Sequence, residues 1–256
     1  MFKLPYVINN SILQSFIKST AISLHQTLGV KNKINKYIIP SNFTISKFIN
    51  FGIEEDKIVH IPTFYNGGSI TRNEVRYEPY ALFVGRVDVD KGVETLIDAF
   101  ISSGRKLIII GDSSADYRLK LNIKLSKVDH NITFLGKLPF DEVKVYLKEC
   151  LFTICPSIWY ENFPNSVLES FAPFKTVIAS DIGSLNEMVF ERKTGLLFPV
   201  QDSFKLEEKC ELLFNDIDYC IKLGENANLR LFKEFSVEKH YTKLVNLFKQ
   251  LSVSNN

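Results

Sequence analysis

What this sequence lacks sets its first bounds. It has no apolar run near the roughly 20 residues that a membrane-spanning helix needs, and residues 1–7 lack the form of a secretory signal. Its four cysteines, Cys150, Cys155, Cys210 and Cys220, form no CxxC pair and have no histidine at metal-ligand spacing. A disulfide scaffold and a zinc site are therefore not expected, and the thiols read as reduced and mostly buried in a cytoplasmic protein. No repeat of 20 to 50 residues and no low-complexity tract is present, which excludes solenoids and propellers. Acidic residues are missing altogether from residues 1–53, which hold six lysines. With +2 on the whole chain, the remainder carries −4. Such a basic, apolar-rich segment can lie on an anionic membrane surface, or be the solvated face of a helix packed on a domain. So small a net charge speaks neither for nor against nucleic acid, and no nucleic-acid partner is expected.

What is there is enough for one large or two modest domains: 256 residues, 45% of them hydrophobic. Helical spacing runs over 11–28, with Ile12, Phe16, Ile22 and Leu24 available for an apolar stripe. His25 falls within it and reads as structural. A short strand is predicted at 36–39, a helix at 41–51 with Ser41 as N-cap and Gly52 as its stop, and a strand at 58–61 closed by Pro62. The polar stretch 63–79, with Asn66-Gly67-Gly68-Ser69, reads as a linker. Beyond it strands are predicted at 81–84, 107–110, 132–135, 151–155, 176–179 and 195–198. Helices fall between them at 93–102, 117–126, 140–149, 165–172 and 185–190, and three more follow at 203–214, 219–234 and 237–251. Short apolar strands alternating with helices indicate an α/β fold, a Rossmann-like parallel sheet covered on both faces.

Ligands of such sheets bind beyond the carboxyl ends of the strands. Polar elements gather there in this sequence: Gly85-Arg86 with Lys91-Gly92, then Gly111-Asp112, then Gly136-Lys137, then the stretch from Cys155 to Glu169. Pro164 is expected at the first helical position, where a missing N–H costs nothing. The helix start behind it can hold an anion, because its first-turn N–H groups are unpaired and the dipole favours negative charge. Glu161 in the loop and Glu169 in the helix can border the same crevice, although a Glu near a helix start is favoured by the dipole alone. Arg86 can fork onto phosphate oxygens while Lys91 adds a point charge. Two cations, an anion-binding helix start and two carboxylates on one rim suit a diphosphate that carries hydroxyl-rich rings.

Four blocks in register resemble family 4 (group 1) glycosyltransferases. They are Phe83-Val-Gly-Arg86 with Lys91-Gly92, Trp159-Tyr-Glu-Asn-Phe-Pro-Asn-Ser-Val-Leu-Glu169, Ala179-Ser-Asp-Ile-Gly-Ser184 with Glu187, and Thr194-Gly195. The spacing Glu-x7-Glu is that family's hallmark, and the resemblance runs over about residues 37–251. It implies a GT-B fold, with residues 80–235 as the Rossmann-like domain that holds a nucleotide-sugar donor. Residues 1–79 would be a remnant of a second Rossmann-like, acceptor-side domain plus linker. A C-terminal helix within 236–256 would pack back on that N-terminal part.

By the same resemblance, Arg86 and Lys91 would neutralise the donor diphosphate and stabilise the departing nucleotide, with no obligatory metal and no other cofactor. Backbone around Gly85, Asn162, Phe163, Asn165 and Ser166 would hold phosphate and sugar oxygens. Glu161 would face the donor sugar, Glu169 would bind the ribose hydroxyls, and Gly136 and Lys137 would border the base. Transfer would retain anomeric configuration, moving a hexose-type sugar to a glycan, polysaccharide or lipid-linked acceptor. Two departures stand out. Phe174-Lys175-Thr176-Val177 occupies the family's Gly-x-Pro-Val turn, and only about 80 residues precede the donor domain. The second implies an N-terminal domain supplied by a partner chain or lying upstream of an incomplete reading frame, or else a non-catalytic nucleotide-sugar-binding module or partner subunit. A cytoplasmic location, with peripheral membrane contact through the basic segment, completes the expectation.

Overall fold

The computed structural model describes residues 12–29 and 33–254. The readings made for residues 1–7 and for the side chains of Ile12 and His25 lie outside the described residues. Helix α1 (Ile12–Thr27) comes first, and its Leu13, Phe16, Ile17, Ile22 and Leu24 are exposed. The expected stripe therefore covers no core among the described residues. Strands β1 (Tyr37–Ile39) and β2 (Ile58–His60) pair in parallel as a separate two-stranded sheet, joined through α2 (Asn42–Asn50). Ser41 caps α2 through its side chain on the Thr44 amide, which removes one of the orphan donors of a helix start.

Residues 63–79 are less of a linker than their composition suggests. They contain a tight turn (Arg72–Glu74) with a capping box from Thr71 and Glu74. Their last two residues already belong to β3 (Glu78–Val84). The main sheet continues with β4 (Lys106–Ile110), β5 (Ile132–Gly136), β6 (Cys150–Cys155), β7 (Val177–Ser180) and β8 (Gly195–Phe198). All six are parallel, in the order β5-β4-β3-β6-β7-β8. Helices α3 (Val93–Ser103), α4 (Ala115–Leu125), α5 (Phe140–Glu149), α6 (Asn165–Phe171) and α7 (Leu185–Met188) connect them. Helix α7 is two residues shorter than its pattern suggests. Helices α8 (Ser203–Asn215), α9 (Ile217–Glu234) and α10 (Val237–Ser254) follow.

Strand residues alternate between the two faces of the sheet, and each face has its own core. Ala81, Phe83, Leu107 and Ile109 pack with Leu96 and Phe100 of α3 and Leu206 of α8. Tyr80, Leu82, Ile108 and Ile110 point the other way, onto Val143 and Leu147 of α5. A third cluster joins Phe171, Val177, Ala179, Met188 and Leu231. Strand β6 is buried along its whole length, which is why it reads as an apolar run interrupted by Thr153 alone and not as an alternating pattern. Helix α10 returns to the N-terminal segment, where the Pro62 carbonyl lies 2.8 Å from Nδ1 of His240. All four cysteines are buried and unbonded to one another.

Phe174, where the resembling family has glycine, adopts φ 59°, a left-handed conformation that costs a bulky residue about 1 kcal/mol or more. The turn is held from behind: a Cβ on Gly224 of α9 would sit 2.0 Å from the Phe174 carbonyl oxygen. Lys175 beside it is wholly buried, donates to the Arg76 carbonyl and lies 3.8 Å from the Tyr77 ring centroid.

Candidate active site

The strand order reverses at β3, whose neighbours are β4 and β6. At such a switch point the loops leaving adjacent strands diverge to opposite faces and open a crevice. A cavity of about 420 Å³ lies there, lined by Phe83 to Arg86, Lys91, Ile154, Cys155, Ser157, Glu161 and Pro164 to Ser166, with Glu169. The sequence thus sends Gly85, Arg86, Lys91, Glu161, Asn165, Ser166 and Glu169 to one place. Gly136, Lys137, Asn162 and Phe163 do not line it. Gly136 ends β5, two strands away, and Lys137 follows it; the Gly136 carbonyl accepts from the Gly111 amide. The Asn162 side chain accepts from the Thr44 hydroxyl, and the Phe163 ring packs edge-on against Phe235. Pro164 is the N-cap of α6 and not its first helical residue, and no side chain caps that helix start.

Backbone geometry brings the two loops together. Gly92 ends the short turn Val89–Lys91 and begins α3 at φ 67°. A Cβ there would lie 1.8 Å from the Pro156 carbonyl oxygen, so only glycine permits the approach. The Ile158 amide donates to the Asp90 carbonyl across the same seam.

Both cations are already partnered. Arg86 contacts Asp88 at 2.6 Å and Asp90 at 2.5 Å, and Lys91 contacts Oε1 of Glu161 at 2.5 Å. That same oxygen accepts from the buried Ser157 hydroxyl at 2.6 Å, and the Ser184 hydroxyl donates to the Glu161 carbonyl at 2.7 Å. The second carboxylate oxygen of Glu161 is left for the cavity. Glu169 forms no ion pair among the described residues, and burial pushes its carboxyl pKa up. It stands between this cavity and a second of about 390 Å³ lined by residues 63–67, Phe140 and Leu168. Tyr65 borders that space, its phenol pKa raised by burial and then by the Glu169 carboxylate. Burial, and secondarily Glu161, holds the Cys155 thiol at about 11, so it stays protonated at neutral pH.

Sequence reasoning missed Ser157, Ser184, Asp88, Asp90 and Tyr65. For Asp90 a signal existed, since it stands four residues after Arg86, the spacing of an ion pair on one face of a turn. Ser157 carried the same signal, standing four residues before Glu161 in one loop, whereas Ser184 reaches the Glu161 carbonyl from another loop, 23 residues on.

Comparison with known proteins gives a consistent picture. The family described as Glycosyl transferases group 1 matches residues 71–230. An uncharacterised glycosyltransferase of Methanocaldococcus jannaschii is 32% identical over 210 residues, 81% of this chain and 59% of that protein. Sucrose-phosphate synthase from Thermosynechococcus elongatus shares the fold with a TM-score of 0.76 at 24% identity, over 90% of this chain and 62% of the other. Anabaena HepE, solved with UDP and glucose, superposes with a TM-score of 0.74 at 18% identity, over 84% of this chain and 63% of the other. The chain thus spans about three fifths of the length of these proteins. Among the described residues no helix is long and apolar enough to cross a membrane. With the family match covering more than half of its length and centred on the β3–β6 crevice, the chain belongs to the group 1 glycosyl transferases.

Proposed function

We propose that the β3–β6 cavity holds the diphosphate and sugar of a nucleotide-sugar donor, and that the chain is the donor half of a retaining glycosyltransferase of family 4. The observation that carries this reading is the convergence of Arg86, Lys91, Glu161, Glu169 and the start of α6 on one cavity of about 420 Å³. A diphosphate entering it would take over the Arg86 guanidinium from Asp88 and Asp90, and the Lys91 ammonium from Glu161. Each cation is then presented to charge that grows as the leaving group departs, where preorganised donors contribute most to rate. Glu161, released from Lys91 but still held by Ser157, would turn its carboxylate to the sugar hydroxyls. Glu169 would accept from the ribose hydroxyls, with the space beside Tyr65 and Phe140 open to the nucleoside.

In the transfer step the bond from the anomeric carbon to the diphosphate oxygen breaks and a bond to an acceptor hydroxyl forms on the same face. The acceptor proton passes to the departing phosphate oxygen, which needs no obligatory metal. HepE, solved with UDP and glucose, supports a uridine diphosphate hexose as the first donor to try. The acceptor is a glycan, polysaccharide or lipid-linked sugar, met on a wall supplied by the rest of an enzyme or by a partner chain. Calorimetry with UDP, GDP and ADP tests the reading. One of the three should bind, and Arg86→Ala should weaken it by at least tenfold, the loss expected for a charged hydrogen bond of about 1.5–3 kcal/mol. No heat from any of them removes the donor site.

A further inference from the structure

A further cavity, larger than the β3–β6 one, is lined in part by Phe163 of the loop that carries Glu161. It measures about 560 Å³ and is bounded by the start of α2, the end of β2, α7, α9 and α10. Its volume falls within the range of small-molecule sites. Its charges are unevenly satisfied. The two carboxylate oxygens of Glu187 take the backbone amides of Asn42 and Phe43, at 2.8 and 2.5 Å, at the N-terminus of α2. Glu234 is paired with Nε of Arg230 at 2.9 Å. The remaining Arg230 nitrogens donate to the Glu187 and Met188 carbonyls, at 2.7 and 2.5 Å, and the guanidinium lies 3.7 Å from the Phe190 ring centroid. Glu187 is thus committed inward, while Glu234 is held by Arg230 through one oxygen and stays partly exposed.

Lys239 and Lys243 line the same cavity from successive turns of α10, and neither has a carboxylate partner among the described residues. Side chains four apart on a helix stand about 6 Å from one another, a spacing at which two ammonium groups can share one phosphate. Phe163, Phe190 and Pro62 line the cavity with them, apolar surface suited to the C–H face of a sugar ring or other polyol. We propose that this cavity binds a phosphomonoester on a hydroxyl-rich body, with Lys239 and Lys243 as its charge partners. The source is either a free sugar phosphate or the headgroup of a phospholipid. The inference does not depend on the donor reading, because it uses none of the residues of the β3–β6 cavity.

The test is calorimetry on the full chain at low salt with glucose 6-phosphate and with glucose. Alongside it runs flotation with vesicles of phosphatidylcholine with and without phosphatidic acid. Glucose 6-phosphate should bind where glucose does not, and Lys239→Gln with Lys243→Gln should weaken it at least tenfold without lowering the melting temperature or changing nucleotide binding. If the source is lipid, flotation needs phosphatidic acid and is lost in the same double variant, while the soluble phosphate gives no heat. Equal behaviour of variant and wild type overturns the proposal, as does failure of both arms. Loss of glucose 6-phosphate binding in Arg86→Ala, with the lysine variant unaffected, places the phosphate in the β3–β6 cavity and overturns it too.

Discussion

Lys175 shows how much one residue can carry unnoticed. It enters where the family resemblance leads one to expect Gly-x-Pro-Val. The turn is unusual, with Phe174 left-handed, but the larger effect is a buried ammonium. Burial lowers the Lys175 pKa to about 8, whereas an unfolded lysine titrates near 10.4. The neighbouring Cys150 and Cys220 thiols are each pushed up by burial, to about 12, and stay neutral in that interval. Between pH 8 and 10.4 the unfolded state binds more protons than the folded one, so stability contributed through this group rises with pH. Below pH 8 the cost of holding the charge is fully present. The unfolding free energy of the wild type should therefore gain on that of Lys175→Met, by on the order of 2–3 kcal/mol, as pH rises from 7.5 to 10. Denaturant curves at several pH values measure this, and parallel pH profiles would contradict it. At the same scale, Ser184 shows why site residues escape a linear reading: its importance is a 2.7 Å contact with the Glu161 carbonyl, 23 residues away, not its type or spacing.

Among elements, the seam between the turn before α3 and the loop before α6 decides whether the site exists. Lys91 and Glu161 are 70 residues apart in sequence, and what lets them meet is the absence of a side chain at Gly92. Gly92→Ala places a methyl group against the Pro156 carbonyl while also disfavouring φ 67°. That variant should lose about 2–4 kcal/mol of stability, and whatever folds should bind nucleotide poorly because the Lys91–Glu161 pair is pushed apart. Thermal unfolding with calorimetry checks it, and an unchanged affinity would show the seam to be dispensable. Helix α2 is tied on by a different device. Glu187 places a carboxylate at its N-terminus, where the dipole and two amides favour it, and Tyr160 packs on Phe43 at 4.6 Å. The N-terminal elements are thus joined to the six-stranded domain at α7 and at the loop that carries Glu161.

For the whole molecule, burial divides the chain unequally. Three cores serve the six-stranded sheet and its helices, while the apolar side chains of α1 face outward. Phe171 is fully buried and Phe16 is 67% exposed, so Phe171→Ala should cost about 3–5 kcal/mol and Phe16→Ser less than about 0.5 kcal/mol. Chemical denaturation of both variants tests this, and a comparable loss in each would mean that α1 is covered in solution. The same division explains which parts of the sequence were legible. Strands buried on both faces betray themselves as apolar runs between turn residues, so the six parallel strands and their helices could be read to within a few residues. So could Arg86, Lys91, Glu161 and Glu169, because sheet topology sends every loop after a strand to one rim. The helix and apolar residues of α1 were legible too, but periodicity reports an apolar face and not whether anything covers it. By itself, then, the sequence determined the alternation of strand and helix and which charged residues reach the carboxyl edge. Those properties depend on local period and chain direction. Only the tertiary structure decided that Lys91 meets Glu161, that Ser184 donates to the Glu161 carbonyl, that Gly136 and Lys137 stand aside, and that two lysines of the last helix overlook another cavity. Each of these depends on distances across strand order and crossing loops, which a linear spacing of residues does not contain.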